Sequence, residues 1–457
     1  MQSIARHLLL ARAIKILFTP PTLNMKQRDS ITDIIIIGAG AAGLLAGKLL
    51  AEKGLSVCLL EARNRTGGRI QTLPYSDWNE TAEGGAEFIH GEMELTLQLL
   101  QEAGIKKTKV GGGMWQASGG SWQHDDDYLE NQNKVISKLK TLKEDMSIAA
   151  FLARDFAGDE NAEVRQSIAA YVEGYYAGDV NLASSKAFLA EWESEDEAQY
   201  RPVQGYQTLL DYLLGKIENS RGKLHLSTIV KKINYLQNSV EVVDSNLQKY
   251  TATKAIITVP LGIWRAEEKD HAFIQYHPAL PQKIQAAFQL GFGSAIKILL
   301  RFKTPFWQQD DYKNKDIGFV FSDQNIGTWW TQNPVESNLL IGWLAGPRAY
   351  ELRHSADEII FERAIESLQH LFSINKEKLS ADIVNWKVYN WTADPYTLGA
   401  YSFSTLQSEA ARKVMVQPVE NTLFFAGEAL YSGTESGTVE AALISGKEVA
   451  SQVLTTL

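Results

Sequence analysis

The chain has 457 residues, 45% of them hydrophobic, which is too long for one ordinary hydrophobic core and predicts two domains. Its 54 acidic and 45 basic residues give a formal net charge of -9, which disfavours nucleic acid as a partner and is compatible with a cationic small molecule. The single cysteine, Cys58, excludes an internal disulfide and a cysteine-based metal site, and the chain lacks the run of roughly 18 apolar residues that predicts a transmembrane helix.

The N-terminal stretch is basic. Residues 1–28 contain no acidic residue, and they carry Arg6, Arg12, Lys15, Lys26 and Arg28 among apolar neighbours. Because these charges interrupt every apolar run, an amphipathic segment or an upstream start of translation fits better than a secretory signal. We therefore expect residues 1–30 to be an N-terminal extension of a cytoplasmic protein.

Residues 33–43, DIIIIGAGAAG, begin with four consecutive isoleucines, the pattern of a strand buried on both faces. In the glycine-rich turn that follows, Gly38 would allow a tight turn, Gly40 close approach to a pyrophosphate, and Gly43 packing of the next helix on the strand. A second buried strand ends at Glu61, eighteen residues after Gly43 (61 minus 43), close to the roughly 20 expected for a carboxylate that binds a ribose hydroxyl. The stretch predicts a cofactor that contains ADP.

A polar turn after Glu61 contains the doublet Gly67-Gly68 followed by Arg69. Two glycines let the backbone pass close to a ligand, and Arg63, Arg65 and Arg69 could pair with a pyrophosphate. A second glycine doublet after the ribose-binding acid is typical of FAD proteins of the glutathione-reductase superfamily, and NAD enzymes generally lack it. The turn therefore favours FAD.

Residues 83–91, EGGAEFIHG, form another glycine-marked strand and turn. Together with Gly67-Gly68-Arg69 they resemble the flavin-containing amine oxidases, particularly the polyamine oxidase branch. The resemblance implies an α/β and α+β fold of two interleaved domains: a Rossmann-like FAD-binding domain of the glutathione-reductase superfamily, and a substrate domain with a mixed or antiparallel sheet plus helices. The expected FAD-binding domain comprises residues 31–107, 222–282 and 391–457, and the expected substrate-binding domain comprises residues 108–221 and 283–390.

The region from residue 108 to residue 221 changes character. A stretch rich in glycine and tryptophan and an acidic turn at residues 125–127 precede helical spacing, which predicts helices at residues 147–154, 162–174, 186–192 and 207–214. We expect the acidic run at residues 191–197 to be a solvated loop, with a polyamine-binding rim as the alternative. Alternating strands between residues 224 and 263 then return the chain to the nucleotide domain, where the resemblance places Val230 at the adenine end and Pro260 beside the dinucleotide.

Residues 291–302, GFGSAIKILLRF, read as a strand with one lysine among apolar neighbours. A lysine facing solvent from an alternating strand is the simpler interpretation. In the resembled amine oxidases the lysine at this point holds a water next to flavin N5, and we transfer that role to Lys297. Strands at residues 318–321, 328–330 and 339–344 and a helix at residues 356–372 suit a sheet that forms the wall of a substrate cavity.

Residues 391–402, WTADPYTLGAYS, match the pattern that precedes the final flavin segment of the family. Tyr401 falls where relatives place one wall of an aromatic cage for the amine. Residues 423–428, LFFAGE, are a buried strand ending in glycine and Glu428, fit to bind the ribityl chain, and residues 437–442 open a last helix whose N-terminal dipole could face the flavin.

Two positions depart from the family pattern. Ala400 stands where monoamine oxidases carry the cysteine that attaches the flavin covalently, which implies non-covalent FAD. Thr438 stands at the opposite cage wall, as it does in some polyamine oxidases and in the histone-demethylating branch. One tyrosine in the cage would admit a wider or longer substrate than two. His90 matches a position near the substrate and could contact a distal amino group, although a strand-end histidine bonded to backbone is an equal alternative.

These features imply FAD-dependent oxidation of an amine, with a polyamine favoured, by hydride transfer to flavin N5, giving an imine or aldehyde and hydrogen peroxide. The expected partners are a small-molecule amine and molecular oxygen, and the oligomeric state stays open between monomer and homodimer. The predicted catalytic residues are Lys297, Tyr401, His90 and Thr438. The predicted cofactor-binding residues are Gly38, Gly40, Ala42, Gly43, Glu61, Ala62, Arg63, Gly67, Gly68, Arg69, Gly85, Ala86, Glu87, Phe88, Val230, Pro260, Trp391, Gly427, Glu428, Gly437, Thr438 and Val439.

Two other functions are compatible with the scaffold. An L-amino-acid oxidase needs an arginine to clamp the substrate carboxylate, for which Arg154, Arg165 and Arg201 are candidates. The second alternative is a non-catalytic flavin-binding interaction protein or a chromatin-acting demethylase subunit. Retention of Lys297 and Tyr401 disfavours a silent scaffold, and the negative charge disfavours chromatin.

Overall fold

The computed structural model describes residues 32–118, 121–124, 132–194, 198–309, 312 and 315–457. The expected N-terminal extension at residues 1–30 and the expected acidic turn at residues 125–127 lie outside the described residues. Among the helices of the described part, none combines the length and the apolar character needed to cross a membrane.

The strands and helices of the described residues follow in chain order. The strands are β1 (Thr32–Ile37), β2 (Val57–Leu60), β3 (Ile89–His90), β4 (Lys107–Lys109), β5 (Gly113–Ser118), β6 (Ser121–His124), β7 (Gln199–Pro202), β8 (Lys223–His225), β9 (Val230–Leu236), β10 (Ser239–Asp244), β11 (Lys249–Ile257), β12 (Gln275–His277), β13 (Gly291–Phe292), β14 (Ala295–Phe302), β15 (Ile317–Ser322), β16 (Thr328–Trp330), β17 (Leu339–Ala345), β18 (Ile383–Asn390), β19 (Ser402–Phe403) and β20 (Leu423–Phe425). The helices are α1 (Ala41–Glu52), α2 (Tyr75–Trp78), α3 (Glu94–Glu102), α4 (Gln132–Leu139), α5 (Ile148–Asp155), α6 (Ala162–Gly174), α7 (Ser185–Ser194), α8 (Gln207–Asn219), α9 (Leu261–Trp264), α10 (Pro281–Gln289), α11 (Gly346–Glu351), α12 (Asp357–Phe372), α13 (Lys376–Asp382), α14 (Ser408–Val416) and α15 (Val439–Leu454).

The first sheet has a parallel centre in the order β8-β2-β1-β11-β20, to which β10, β9 and β12 are added beside β11. The isoleucines of β1 divide between two hydrophobic cores. Ile34 and Ile36 pack with residues of α1, α8 and α15, whereas Ile35 and Ile37 pack with residues of β9, β10, α10 and α14. Each such burial stabilises the fold by about 1.5–3 kcal/mol. The prediction of a strand covered on both faces is confirmed.

The alternating stretch at residues 224–233 forms two strands that belong to opposite sides of the sheet. β8 pairs with β2, and β9 pairs with β10. The break occurs at Ser227, which has φ +52° and donates its backbone N–H to Arg63 O, while Thr228 N–H donates to Glu61 O. The turn between the strands therefore lies against the polar loop that follows β2.

A second sheet has the order β18-β14-β17-β16-β15-β5-β6 and is antiparallel except where β15 and β5 run parallel. Lys297 on β14 has Trp343 of β17 and Tyr389 of β18 as its direct neighbours in register. Residues of α12 pack against one face of this sheet in a third core. The expected sheet with a covering helix is confirmed. The stretch rich in glycine and tryptophan forms β5 and β6, the last two strands at one end of this sheet.

The helices predicted between residues 147 and 214 are present, and α6 has the predicted bounds. The expectation of a solvated loop beginning at Glu191 is wrong, because α7 continues to Ser194 and Glu191 is buried. Its carboxylate accepts a hydrogen bond from the hydroxyl of Ser436, 245 residues further along the chain. Residues 195–197 of the same acidic run lie outside the described residues.

Candidate active site

A cavity of about 720 Å³ opens at the carboxyl ends of the parallel strands. Its wall contains Gly38 after β1, Glu61 after β2, Thr258 after β11 and Gly427 after β20. The chain leaves β1 towards β2 on one side, while β11 lies on the other side, so this edge is a topological switch point, the usual place for a ligand in an open α/β sheet.

The glycine turn after β1 is shaped by two close approaches. Gly38 has φ +106°, and a Cβ placed on Gly43 would lie 2.1 Å from Gly38 O, so the helix begins directly on the turn. Gly40 differs, because the nearest heavy atom to its Cβ position is Gly67 O at 3.8 Å. The space beside Gly40 belongs to the cavity, and the first N–H groups of α1, which have no side-chain cap, lie at the same edge. These features fit a pyrophosphate.

Glu61 is buried at the end of β2, and its carboxylate is oriented by the backbone. Oε2 accepts from Ala39 N–H at 2.8 Å and Oε1 accepts from Arg63 N–H at 2.9 Å. A carboxylate so held, in the cavity wall and one strand away from the glycine turn, is placed to accept hydrogen bonds from ribose hydroxyls.

Two ion pairs join the turn after β2 to the C-terminal part of the chain. Arg63 makes two hydrogen bonds to Asp394, at 3.0 and 2.5 Å. Arg69 donates to Glu428 at 2.7 Å and to Ala400 O at 2.6 Å. Arg69 and Glu428, which the sequence assigned to the pyrophosphate and the ribityl chain, thus hold each other, and Arg63 is held by Asp394. Arg63, Arg69 and Glu428 line the cavity, whereas Asp394 does not.

Arg65, the third arginine of this turn, lies outside the cavity wall. Its guanidinium donates to the carbonyl oxygens of Thr66, Gly68 and Ile70 and to the side chain of Gln71. The suggestion that Arg65 pairs with a pyrophosphate is therefore wrong. Its side chain stabilises the turn through these hydrogen bonds, outside the cavity wall.

Lys297 is 1% exposed, so the interpretation as a lysine facing solvent is wrong. Its Nζ donates to Glu87 Oε2 at 2.7 Å and to Gly85 O at 3.1 Å, and all three residues line the cavity. Burial acts to raise the pKa of Glu87, but the positive charges of Lys297 and Arg201 outweigh it and hold that pKa at about 2. The wall beside the cofactor edge therefore carries a lysine ammonium paired with a buried carboxylate.

The sequence pattern of the family described as "Flavin containing amine oxidoreductase" matches residues 41–454. The chain belongs to this family. It is accordingly an amine oxidase that uses a flavin, and the cavity at the switch point is the place where its residues would hold that flavin.

Proteins similar to this chain include polyamine oxidases, a histone demethylase and a putrescine oxidase. The chain is 27% identical to polyamine oxidase 3 of Oryza sativa subsp. japonica, over 94% of this chain and 92% of that protein, and 28% identical to probable polyamine oxidase 4 of Arabidopsis thaliana, over 93% and 87%. It is 26% identical to human lysine-specific histone demethylase 2, over 92% of this chain and 53% of that protein. A structure of putrescine oxidase bound to putrescine superposes with a TM-score of 0.77 at 20% identity, over 93% of this chain and 99% of the other.

The part of the amine oxidase cavity that lies beyond the cofactor wall is aromatic. The rings of Trp343 and Tyr401 are nearly parallel, at 11° with centroids 6.5 Å apart. Both rings are fixed by their polar tips, because Trp343 Nε1–H donates to Gly174 O at 2.8 Å and the Tyr401 hydroxyl donates to Tyr175 O at 2.6 Å. Two neighbouring carbonyls at the end of α6 therefore set the orientation of both rings.

Thr438, which the resemblance places at the cage wall opposite Tyr401, caps the last helix. It is the N-cap of α15, where its hydroxyl accepts from Ala441 N–H and donates to Glu435 O, although the residue still lines the cavity. Trp343 is the aromatic residue beside Tyr401, and sequence reasoning missed it because a tryptophan in an apolar strand reads as core.

His90 also lines the cavity. Its Nδ1 lies 3.1 Å from the Tyr175 hydroxyl, so this nitrogen contacts a side chain and not the backbone, and the contact with a distal amino group stays a prediction. Burial lowers the pKa of His90 to about 4, which keeps the imidazole neutral at neutral pH.

Every predicted site residue lines the one cavity except Gly43, whose part is the packing of α1. The arginines considered for a carboxylate clamp do not line it. Arg154 pairs with Asp155, Arg165 donates to backbone carbonyls, and Arg201 binds Glu87. Arg348 does line the cavity, from an exposed position, with its guanidinium on the carbonyls of Gln324 and Asn325.

Replacing Trp343 by leucine should raise the KM for the amine substrate about 10-fold, because the loss of one aromatic face costs about 1–2 kcal/mol of contact with the ammonium form in which the amine enters. The flavin content should stay unchanged. The control Trp386→Leu removes a tryptophan of the same sheet that stacks on Phe361 outside the cavity wall. Steady-state kinetics measure the KM of each variant. An unchanged KM in Trp343→Leu would contradict a contact between this ring and the substrate.

Proposed function

We propose that this chain binds FAD without a covalent bond and oxidises a polyamine with dioxygen as electron acceptor. The flavin, when bound, takes a hydride from the carbon next to the amine nitrogen and gives up its electrons to dioxygen. Dioxygen and water are consumed, and an aldehyde, a shortened amine and hydrogen peroxide are released. The division of the chain into two interleaved domains at the bounds given above is part of the proposal.

The main observation in support of the proposal is that one cavity is lined by two chemically different sets of residues. One set lies at the carboxyl edge of a parallel sheet and presents the glycine turn and Glu61, while the other presents Lys297 and the parallel rings of Trp343 and Tyr401. A dinucleotide with a redox-active ring at one end spans such a boundary. Non-covalent binding is supported by Ala400, which offers no nucleophile next to Tyr401.

The protein's own contribution to the reaction is orientation and charge. The two tethered rings would orient the substrate nitrogen as it enters in its ammonium form, since an aromatic face attracts a cation. The ammonium of Lys297 would disfavour a second positive charge close by and so favour the neutral amine, the form from which a hydride departs. Because Trp343, Tyr401 and Phe88 are largely apolar, they would exclude water from the reacting carbon.

A polyamine is supported by the outer part of the cavity and by the names of the relatives. Glu173, at the end of α6, lines the cavity, and its carboxylate has no hydrogen bond or ion pair among the described residues. Burial, together with the neighbouring Asp179, raises the pKa of this carboxyl. A distal ammonium of the substrate would relieve both effects. The relatives cited above include proteins named polyamine oxidases.

The test is a substrate panel with the purified flavin-loaded protein. Spermine, spermidine, putrescine, monoamines and L-amino acids are compared by peroxide release in air and by loss of the oxidised flavin absorbance without oxygen. We expect polyamines to give both signals, and mass spectrometry of the spermine products then identifies the bond that is cleaved. Absence of turnover on every amine would refute the proposal, and turnover of L-amino acids alone would replace it.

A further inference from the structure

Glu87 is the centre of a buried polar cluster in the cavity wall. Its carboxylate accepts from Lys297 at 2.7 Å, from Arg201 Nε at 2.8 Å, from Trp330 Nε1 at 3.2 Å to each oxygen, and from Gln332 Nε2 at 3.2 Å. A carboxylate has about four lone-pair positions, so these donors occupy it fully. Glu87 therefore has no position left for a substrate ammonium, and any effect on the reaction passes through its partners.

The donors come from separate elements. Lys297 lies on β14, Arg201 on β7, and Trp330 at the end of β16, while Glu87 itself stands just before β3. Lys297 is 1% exposed and Glu87 5% exposed, so water does not compete for these bonds. Arg201 also donates to Thr331 O and Asn333 O, which fixes the guanidinium independently of Lys297. Arg201 and Gln332 thus hold Oε1 of the carboxylate, Trp330 bridges both oxygens, and Oε2 accepts from the lysine.

We propose that Glu87 is the positioning residue of Lys297: by anchoring its carboxylate on Arg201, Trp330 and Gln332, the protein fixes the lysine ammonium at one point of the cavity wall. The inference rests on the proposed function in one respect, namely that Lys297 acts beside the bound flavin. The sequence assigned Glu87 only to the cofactor wall, because one sequence does not show that its side chain meets Lys297, 210 residues away.

Removal of the negative charge has a defined consequence. In Glu87→Gln the shape is kept, but Lys297 and Arg201 become two buried cations without a shared anion, so the lysine loses its proton more easily. The other titratable groups near the cluster are Glu83 and Tyr389. Burial raises the pKa of Tyr389 to about 12, so it stays neutral, whereas burial raises the pKa of Glu83 to about 7, so it changes charge within the range of an enzyme assay.

The experiment measures flavin reoxidation by dioxygen after anaerobic reduction, from pH 6 to pH 9, by rapid mixing. In the Glu83→Gln background, which removes the carboxyl that changes charge near pH 7, the rate should be nearly independent of pH with Glu87 in place and should fall about 10-fold or more between pH 6 and pH 9 once Glu87→Gln is added. Glu83→Gln, alone and combined with Glu87→Gln, removes the contribution of the other carboxyl. The matched control is Glu80→Gln, since Glu80 pairs with Arg301 of the same strand β14 outside the cavity wall.

A double-mutant cycle separates positioning from a general structural effect. If Glu87 acts through Lys297, Glu87→Gln in a Lys297→Met background should change the reoxidation rate less than twofold. An additive loss in the double variant, or a wild-type pH profile in Glu87→Gln, would overturn the proposal. The midpoint potential of the bound flavin supplies a readout without amine turnover: beyond the slope that proton uptake by the flavin itself produces in every variant, an additional inflection with pH should appear in Glu87→Gln and be absent in the double variant. This potential can be measured even if no amine is a substrate, so a failure of the positioning role can be distinguished from a failure of the proposed function.

Discussion

Lys297→Met is expected to slow flavin reoxidation by dioxygen about 100-fold or more, because a fixed charge beside a reacting centre contributes to catalysis on the order of one preorganised donor, about 3–4 kcal/mol. Methionine keeps most of the side-chain volume and removes the ammonium that donates to Glu87 and Gly85. Anaerobic reduction by the amine should change less than reoxidation does, because the aromatic rings that hold the amine are intact and only the contribution of the ammonium to keeping the amine neutral is lost.

The measurement is a comparison of the two half-reactions by rapid mixing, with thermal unfolding as the control for folding. Arg201 remains as a counter-ion for Glu87, so the variant should fold. Wild-type reoxidation in Lys297→Met would refute the role given to this lysine. A loss confined to amine reduction would assign it to the substrate half-reaction instead.

Two alanine substitutions three residues apart are expected to fail in different ways. In Gly43→Ala the new Cβ would lie 2.1 Å from Gly38 O, a backbone atom that cannot move without opening the turn, so we expect a loss of about 3 kcal/mol or more of unfolding free energy. In Gly40→Ala the nearest atom is 3.8 Å away and the backbone is extended at φ -80°, so the protein should fold normally. The added methyl group instead occupies the space where a pyrophosphate would approach.

The corresponding measurements are denaturant unfolding and flavin content per chain after purification. Gly40→Ala should keep wild-type stability in the flavin-free form and lose most of its flavin, and Gly43→Ala should give little folded protein. Gly215→Ala is the control, because a Cβ at Gly215 meets nothing within 4 Å on an unrelated helix. Full flavin content in Gly40→Ala would show that the dinucleotide does not pass this glycine.

Local patterns carried the sequence predictions that succeeded. The isoleucines of β1 and the glycines after it are contiguous in sequence, so the pattern of neighbouring residues is enough to predict a buried strand and a tight turn. The structure has both. The bounds of α6 follow from its periodicity, for the same reason. Lys297 is different, because its strand pattern alone favoured a lysine facing solvent, which is wrong, and only the resemblance to the amine oxidases assigned it to the site.

The predictions that failed depended on distant partners. Glu191 was read as solvated because its neighbours are acidic, but its partner Ser436 is remote in sequence. Trp343 received no prediction, because a tryptophan in an apolar strand is typical of a core, and its contact with Gly174 O, which holds the ring towards the cavity, is remote in sequence. The sequence assigned Glu87 to the cofactor wall but did not indicate that its carboxylate pairs with Lys297 from another sheet. One sequence does not contain these pairings, which only the folded chain brings together.

The ion pairs of Arg63 with Asp394 and of Arg69 with Glu428 join residues 331 and 359 positions apart. Contacts so distant in sequence have a high loop-closure entropy and form late in folding. A nascent chain that has passed residue 100 already contains the whole glycine turn, yet it lacks the partners that close the turn after β2. We therefore expect cofactor loading to follow the completion of synthesis, and a chain truncated before residue 394 to retain the dinucleotide motif without a closed site.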